Sequence, residues 1–384
     1  MTFTQPDVLL LGPGPSNSES CVLKAMAQPT IGHLDPRFGE MMEEVKDLLR
    51  YAFQTENAMT FPLSAPASLA MESALCNLLE PGDKAIICQN GVFGGRMADI
   101  VQRIGAELVL IEDEWGKAVS LQKVAEAVRD NPDAKLVGFV HAETSTGVRS
   151  DAAGICAIAK AAGMLTIMDT VTGLAGVPVR VDDWGVDVAY SGTQKCLGVP
   201  PGLAPMTFSD QALDVIRNRK TPVQSWFCDL NLVMGYWSGA GKRSYHHTAP
   251  VNAIYGLYVA LKKLREETLE VSHQRHACAH KILKEKMDEL DLDFLVDEMD
   301  RLPQMNAIII PEGLDEAAIR SELLMTYGIE MGAGLGPFAG KVWRLGLMGP
   351  NAHRGTVERW AVALTQVLKN ARAKQVDVAA IAAE

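Results

Sequence analysis

Between residues 84 and 190 the chain alternates short apolar runs with longer stretches whose apolar residues recur at helical spacing. The runs KAIICQ (84–89), ELVLIE (107–112), KLVGFVH (135–141), MLTIMD (164–169) and VDVAY (186–190) predict strands buried on both faces. Helices are predicted between them over 96–104, 120–130 and 151–162, with the Gly-rich NGVFGG at 90–95 as a loop. Two more helices are predicted upstream over 40–52 and 68–79, the second opening with Ser68 as N-cap and Glu72 one turn in. Near-continuous apolar strands alternating with helices predict an α/β fold, a mostly parallel sheet sandwiched by helices. The run VLLL at 8–11 ends in Gly12-Pro13-Gly14-Pro15, where the prolines fix φ and the glycines admit unusual dihedrals, so a rigid extended turn is predicted. Beyond residue 250 the pattern changes to a long helical stretch over 251–289, extended runs at 306–311 and 341–347, and a helix over 314–326. That predicts a smaller C-terminal α+β domain, with the boundary inside the long helix near residue 260.

The length of 384 residues suits two domains, and the balance of 48% apolar to 22% charged residues is that of a packed globular chain. Its net charge of −11 repels polyanions and anionic membranes, which argues against nucleic acid as a partner. Seven cysteines stand singly, with no CxxC pair, a pattern that fits a reducing cytoplasm. MTFTQPDVLLLGPGPS has no basic n-region and only a short apolar run, and the final IAAE carries no address, so an unsorted cytoplasmic protein without a membrane span is predicted.

Ligands of parallel sheets bind beyond the carboxyl ends of the strands. Three of the predicted strands end in polar or turn residues: HAETSTG at 141–147, Asp169-Thr170, and SGTQK at 191–195. Lys195 stands among small, apolar and loop-forming residues, where desolvation would lower its pKa and free the amine to attack an aldehyde. Asp169 suits a partner to a protonated pyridine nitrogen, or a cap for the following turn. The segment Ser64-Ala65-Pro66-Ala67-Ser68 reads equally as an ordinary N-cap or as an anion site built from the Ala67 and Ser68 amides and the Ser68 hydroxyl. Arg344, inside the apolar run KVWRLGL, requires either an ion pair or a carboxylate ligand. The paired His246 and His247, and the spaced His273, His276 and His280 in a stretch that reads as solvated, suggest no metal site.

Together these segments resemble the fold-type I, class V aminotransferases, and specifically the alanine–glyoxylate and serine–glyoxylate type. The landmarks are LLLGPGPSN at 9–17, YAFQTEN at 51–57, LEPGD at 79–83, NGVFGGR at 90–96, HAETSTGV at 141–148, SGTQKCLGVPPG at 191–202, YHHT at 245–248 and GLGPFAGKVWRLGLMG at 334–349. The resemblance implies an N-terminal segment over 1–20 that reaches the active site, a large domain over 21–260 that binds pyridoxal 5'-phosphate, and a small domain over 261–384. It implies that Lys195 carries the cofactor as a Schiff base and that Asp169 pairs with the pyridine nitrogen. Phe93 would lie against the ring, where close relatives often have Trp, and Thr144 would touch its edge. Gln194, Ser68 and Ala67 would hold the phosphate, Arg344 would bind the substrate carboxylate, and Gly14 would line the substrate. Tyr245 and Thr248 would reach the phosphate of the other subunit of a homodimer with shared sites. Where relatives carry Ser-Gly-Ser-Gly followed by His, this chain has Ser64-Ala65-Pro66-Ala67-Ser68, which predicts a rearranged phosphate grip.

The reaction implied is a ping-pong transamination from alanine or serine to glyoxylate or a similar small 2-oxo acid. FQTEN, EDEWG and GTQKCLGVP also resemble ureidoglycine–glyoxylate aminotransferases, and a pyridoxamine–pyruvate type is a further alternative. A desulfurase would need a reactive cysteine on an electropositive loop, which the sequence does not offer.

Overall fold

In chain order the strands are β1 (Leu9–Leu11), β2 (Met59–Leu63), β3 (Lys84–Gln89), β4 (Glu107–Glu112), β5 (Leu136–Val140), β6 (Ala142–Glu143), β7 (Val148–Arg149), β8 (Leu165–Asp169), β9 (Val188–Tyr190), β10 (Ala204–Phe208), β11 (Met305–Ile309), β12 (Ile329–Ala333) and β13 (Val342–Gly346). They come from a computed structural model that describes residue 4, residues 6–237 and residues 243–382. The MTF start and the IAAE end, which bear on targeting, lie wholly or partly outside the described residues. No helix among the described residues is long and apolar enough to cross a membrane.

A seven-stranded sheet runs in the order β2-β10-β9-β8-β5-β3-β4. The pairings from β9 through β8, β5 and β3 to β4 are parallel, while β10 runs antiparallel to both β2 and β9. β5 is buried along its whole length and β3 in its middle four residues, as strands covered on both faces must be. β2 and β10 are not legible in the apolar pattern because each carries a proline, and Pro62 and Pro205 face each other in register. β2 tolerates its proline as an edge strand; the Pro205 carbonyl still accepts from Ser191 N at 2.8 Å.

A second sheet, β1-β12-β13-β11, joins the N-terminal strand to the C-terminal part of the chain, with β1 parallel to β12. Its core of Leu11, Ile308, Ile329, Trp343, Leu345, Trp360 and their neighbours is separate from that of the large sheet. β1 therefore brings the Gly-Pro turn that follows it to the junction of the two sheets.

Two predicted elements differ. The stretch over 251–289 is two helices, Val251–Glu267 and Leu269–Leu290, broken at Thr268, whose φ of 72° no helix accommodates. Thr268 closes the first helix through its N–H to Leu264 O at 2.9 Å and caps the second by accepting from Val271 N. NGVFGG is not a free loop, since a helix begins at Val92 and runs to Ile104. Glu143 and Ser145 reach across to accept from Phe93 N and Val92 N and so replace the missing local cap.

Candidate active site

The carboxyl edges of β5, β8 and β9 deliver the polar residues that the sequence places there. Asp169 is the last residue of β8, 2% exposed, with Oδ1 accepting from Val171 N at 2.9 Å and Oδ2 from Tyr190 Oη at 2.9 Å. Burial pushes its carboxyl up to about 7, against the pull of those two donors.

Lys195 follows β9 in a loop tied down from both sides. Ser191 N donates to Pro205 O and Thr193 N to Leu203 O, while Ser16 Oγ donates to Lys195 O at 2.8 Å. Its own amine donates to the Pro13 carbonyl. Burial, then the charge of Arg344, hold it down to about 8, so the neutral form that attacks an aldehyde is far more accessible at neutral pH than for an ordinary lysine. Gly14, at φ +110°, lies directly over it: a Cβ there would come within 2.8 Å of Lys195 Cδ and Nζ. Only glycine meets both demands, the dihedral and the space.

Arg344 lies on β13, between β12 and β11, and is 7% exposed. Nε donates to Ala333 O at 2.7 Å and an Nη to Thr144 O at 3.3 Å, so two backbone carbonyls hold the guanidinium, and no carboxylate among the described residues engages it by a hydrogen bond or ion pair. Burial lowers its pKa to about 10, while the negative charge of Glu143 raises it. Thr144 is itself buried, with its hydroxyl on that of Thr172.

On the other side of the site the helix Ala67–Leu78 begins. Pro66 occupies its N-cap and gives no side-chain cap, so Ser68 stands in the first turn and not at the cap. Its hydroxyl accepts from Arg96 Nη1 at 2.7 Å, and the Arg96 guanidinium lies 4.9 Å from the centre of the Phe93 ring. The loop with Gln194 packs against this helix start, because a Cβ at Gly192 would meet Gln194 Oε1 at 2.6 Å and Ala67 Cβ at 3.3 Å.

The structure thus brings together Lys195, Asp169, Arg344, Gly14 and Thr144, and next to them Phe93, Gln194, Ala67 and Ser68. Tyr245 and Thr248 are exposed, and no hydrogen bond links them to Lys195, Asp169 or Arg344. Their neighbour His247 does touch the region, with Nε2 at 2.7 Å from Ser64 Oγ. His276, which the sequence places in a solvated stretch, is fully buried: Nδ1 bonds Ser272 O at 2.7 Å and Nε2 accepts from Gly349 N at 3.0 Å. One face of its helix packs inward there, which the surrounding Gln, Arg and Lys conceal.

Three residues of the site are not singled out by the sequence: Glu143, Tyr190 and Arg96. Glu143 is fully buried, accepts from Ser145 N and Oγ at 3.0 and 2.6 Å, and has its carboxyl raised by burial. Glu143 and Tyr190 stand at strand ends, where polarity at the carboxyl edge is the available signal, while Arg96 lies inside the helix Val92–Ile104 and is marked only by the NGVFGGR segment. The donor set suits an aldehyde-bearing pyridine phosphate: a buried amine, a buried carboxylate on the adjacent strand end, and an uncapped helix start with an arginine beside it.

The family model described as Aminotransferase class-V matches residues 8–339. The alanine–glyoxylate aminotransferase of Oryctolagus cuniculus is 40% identical over 372 residues, covering 96% of this chain and 95% of that protein. The crystal structure of the alanine–glyoxylate aminotransferase from Nostoc sp. superposes with a TM-score of 0.93 at 42% identity, over 96% of this chain and 97% of that one. The ureidoglycine–glyoxylate aminotransferase from Bacillus subtilis gives a TM-score of 0.94 at 33% identity, over 97% and 95%.

Proposed function

The chain belongs to the class-V aminotransferase family, and from that premise we propose that it moves an amino group from alanine or serine to glyoxylate or a similar small 2-oxo acid, with pyridoxal 5'-phosphate as cofactor. When bound, that group supplies the electron sink that no side chain can. Lys195 would hold it, and the same amine, when free, is placed to take the proton from the substrate Cα as general base and to return one as acid. Arg344 grips the substrate carboxylate through two parallel hydrogen bonds, and since both substrates are α-acids one grip orients both half-reactions of a ping-pong cycle. Asp169 would partner the ring nitrogen, with Phe93 and Thr144 lining the ring. Gln194, Ala67 and Ser68 would hold the phosphate, with Arg96 adding a positive charge beside a helix start where Pro66 has no N–H to donate.

The observation that carries this reading is the buried, depressed amine of Lys195 under Pro13 and Gly14, electrostatically coupled to both Asp169 and Arg344. A roof that close to the amine supports a donor with a small side chain. The likeness to the Bacillus subtilis enzyme supports ureidoglycine as a second donor to test. We read the active form as a homodimer in which Tyr245 and Thr248 of one subunit reach the phosphate held by the other, on the strength of the exposed aromatic side chains of Trp226 and Tyr245.

The test adds cofactor to purified wild-type and Lys195→Ala protein, scans near-visible absorbance, and assays pyruvate from alanine plus glyoxylate. Wild type is expected to show the band and the product, and Lys195→Ala neither. Survival of both in the variant would sink the reading. A panel of alanine, serine and ureidoglycine against glyoxylate ranks the donors.

A further inference from the structure

Asp169 and Tyr190 are register partners on the neighbouring parallel strands β8 and β9, so their side chains leave the same face of the sheet. Tyr190 is fully buried. Its hydroxyl donates to one carboxylate oxygen of Asp169 at 2.9 Å, while the Val171 amide donates to the other at 2.9 Å. The terminal torsion of an aspartate is otherwise broad. One donor on each oxygen sets the plane of the carboxylate, and each oxygen keeps a lone pair for a further partner.

We propose that Tyr190 is a positioning residue of the transamination site: its hydroxyl keeps the Asp169 carboxylate aimed and ionised for the cofactor's ring nitrogen, a role that rests on the assignment of Asp169 made above. Burial works against that charge, and the surroundings offer little else to oppose it. Glu143, from the hairpin of β6 and β7, adds a like charge and drives Asp169 toward protonation, while Lys195 acts in the opposite sense without bonding to it. His141, at the end of β5, is neutral by burial and turned to the Thr170 hydroxyl. Arg96 acts on Tyr190 itself. Tyr190 cannot surrender its own proton, because burial and then the Asp169 charge push its hydroxyl far above the ordinary range. It therefore stays a donor between pH 5 and 9.

Tyr190→Phe keeps the ring in the core and removes only the donor. Cofactor affinity of the stripped protein is measured by equilibrium dialysis from pH 5 to 9, beside the same series for Asp169→Asn and for the double variant. Without the hydroxyl, Asp169 holds its proton to higher pH, so the acid fall in affinity is expected to move upward by about one pH unit, the size of one hydrogen bond to a charged group. Affinity near neutral pH should drop about tenfold. In the Asp169→Asn background the same change is expected to alter affinity less than about twofold, because its route is gone. A Tyr190→Phe profile that superimposes on wild type while Asp169→Asn shifts, or full additivity in the double variant, overturns the proposal. If Asp169→Asn itself leaves affinity unchanged, the assignment of Asp169 falls first and takes this role with it. Replacing Tyr190 by 3-fluorotyrosine, a stronger donor of the same shape, should move the acid limb down; an unmoved limb overturns the proposal even if Tyr190→Phe does not fold.

Discussion

Replacing Gly14 by alanine tests the geometry over the reactive lysine. The added Cβ would stand 2.8 Å from Lys195 Cδ, 2.8 Å from Nζ and 3.0 Å from Cε, where carbon contacts settle at about 3.5–4.0 Å. The backbone cannot yield easily, because φ is +110°, a region that costs an L side chain about 1–3 kcal/mol. The lysine must therefore retreat by roughly 1 Å, and a displacement of that size at a reacting centre costs about 100-fold in rate. We expect Gly14→Ala to lower kcat/KM for alanine plus glyoxylate about 100-fold, while the apparent Tm falls by only a few degrees. The decisive comparison is transamination rate against thermal melting on the same samples. Activity within twofold of wild type would show that the turn over Lys195 is looser than the structure makes it and would refute the reasoning. So would a loss of activity matched by wholesale unfolding, since the cost is predicted at the lysine and not in the fold.

Two further predictions concern charges. Arg344→Lys keeps a cation but loses the planar fork, so the KM for both alanine and glyoxylate is expected to rise about 10–100-fold with a smaller change in kcat; unchanged KM values would remove Arg344 from carboxylate binding. Asp169, with a folded-state value of about 7 against an ordinary 3.8, keeps a proton that the unfolded chain has already released, so its own contribution to the stability of the cofactor-free protein is lost as pH rises from about 4 to about 7. Cofactor-free Asp169→Asn should therefore be more stable than wild type at pH 7–8, by at most about 4 kcal/mol, with the gap closing toward pH 4. Urea unfolding at several pH values checks this, and parallel stability curves would contradict it.

The sequence by itself determined the alternation of buried strands and helices, the sheet edge where polar residues gather, and the identity of Lys195, Asp169 and Arg344 as residues out of keeping with their apolar surroundings. Such features are local: a period of two or of 3.6, a lysine among small residues, an arginine inside a strand. The prolines of β2 and β10 hid two strands, because the residue type that weakens a strand locally is tolerated where the ladder does not need its N–H. NGVFGG looked like a loop because its helix cap comes from Glu143 and Ser145, about fifty residues away along the chain. What makes a site of the conspicuous residues belongs to the tertiary structure alone. Lys195 meets Pro13 across 182 residues and Arg344 meets Thr144 across 200, and the charge state of each follows from the burial that those meetings create. Tyr190 is the clearest case, since its hydroxyl has no meaning in the sequence until β8 and β9 pair in register and set it on Asp169.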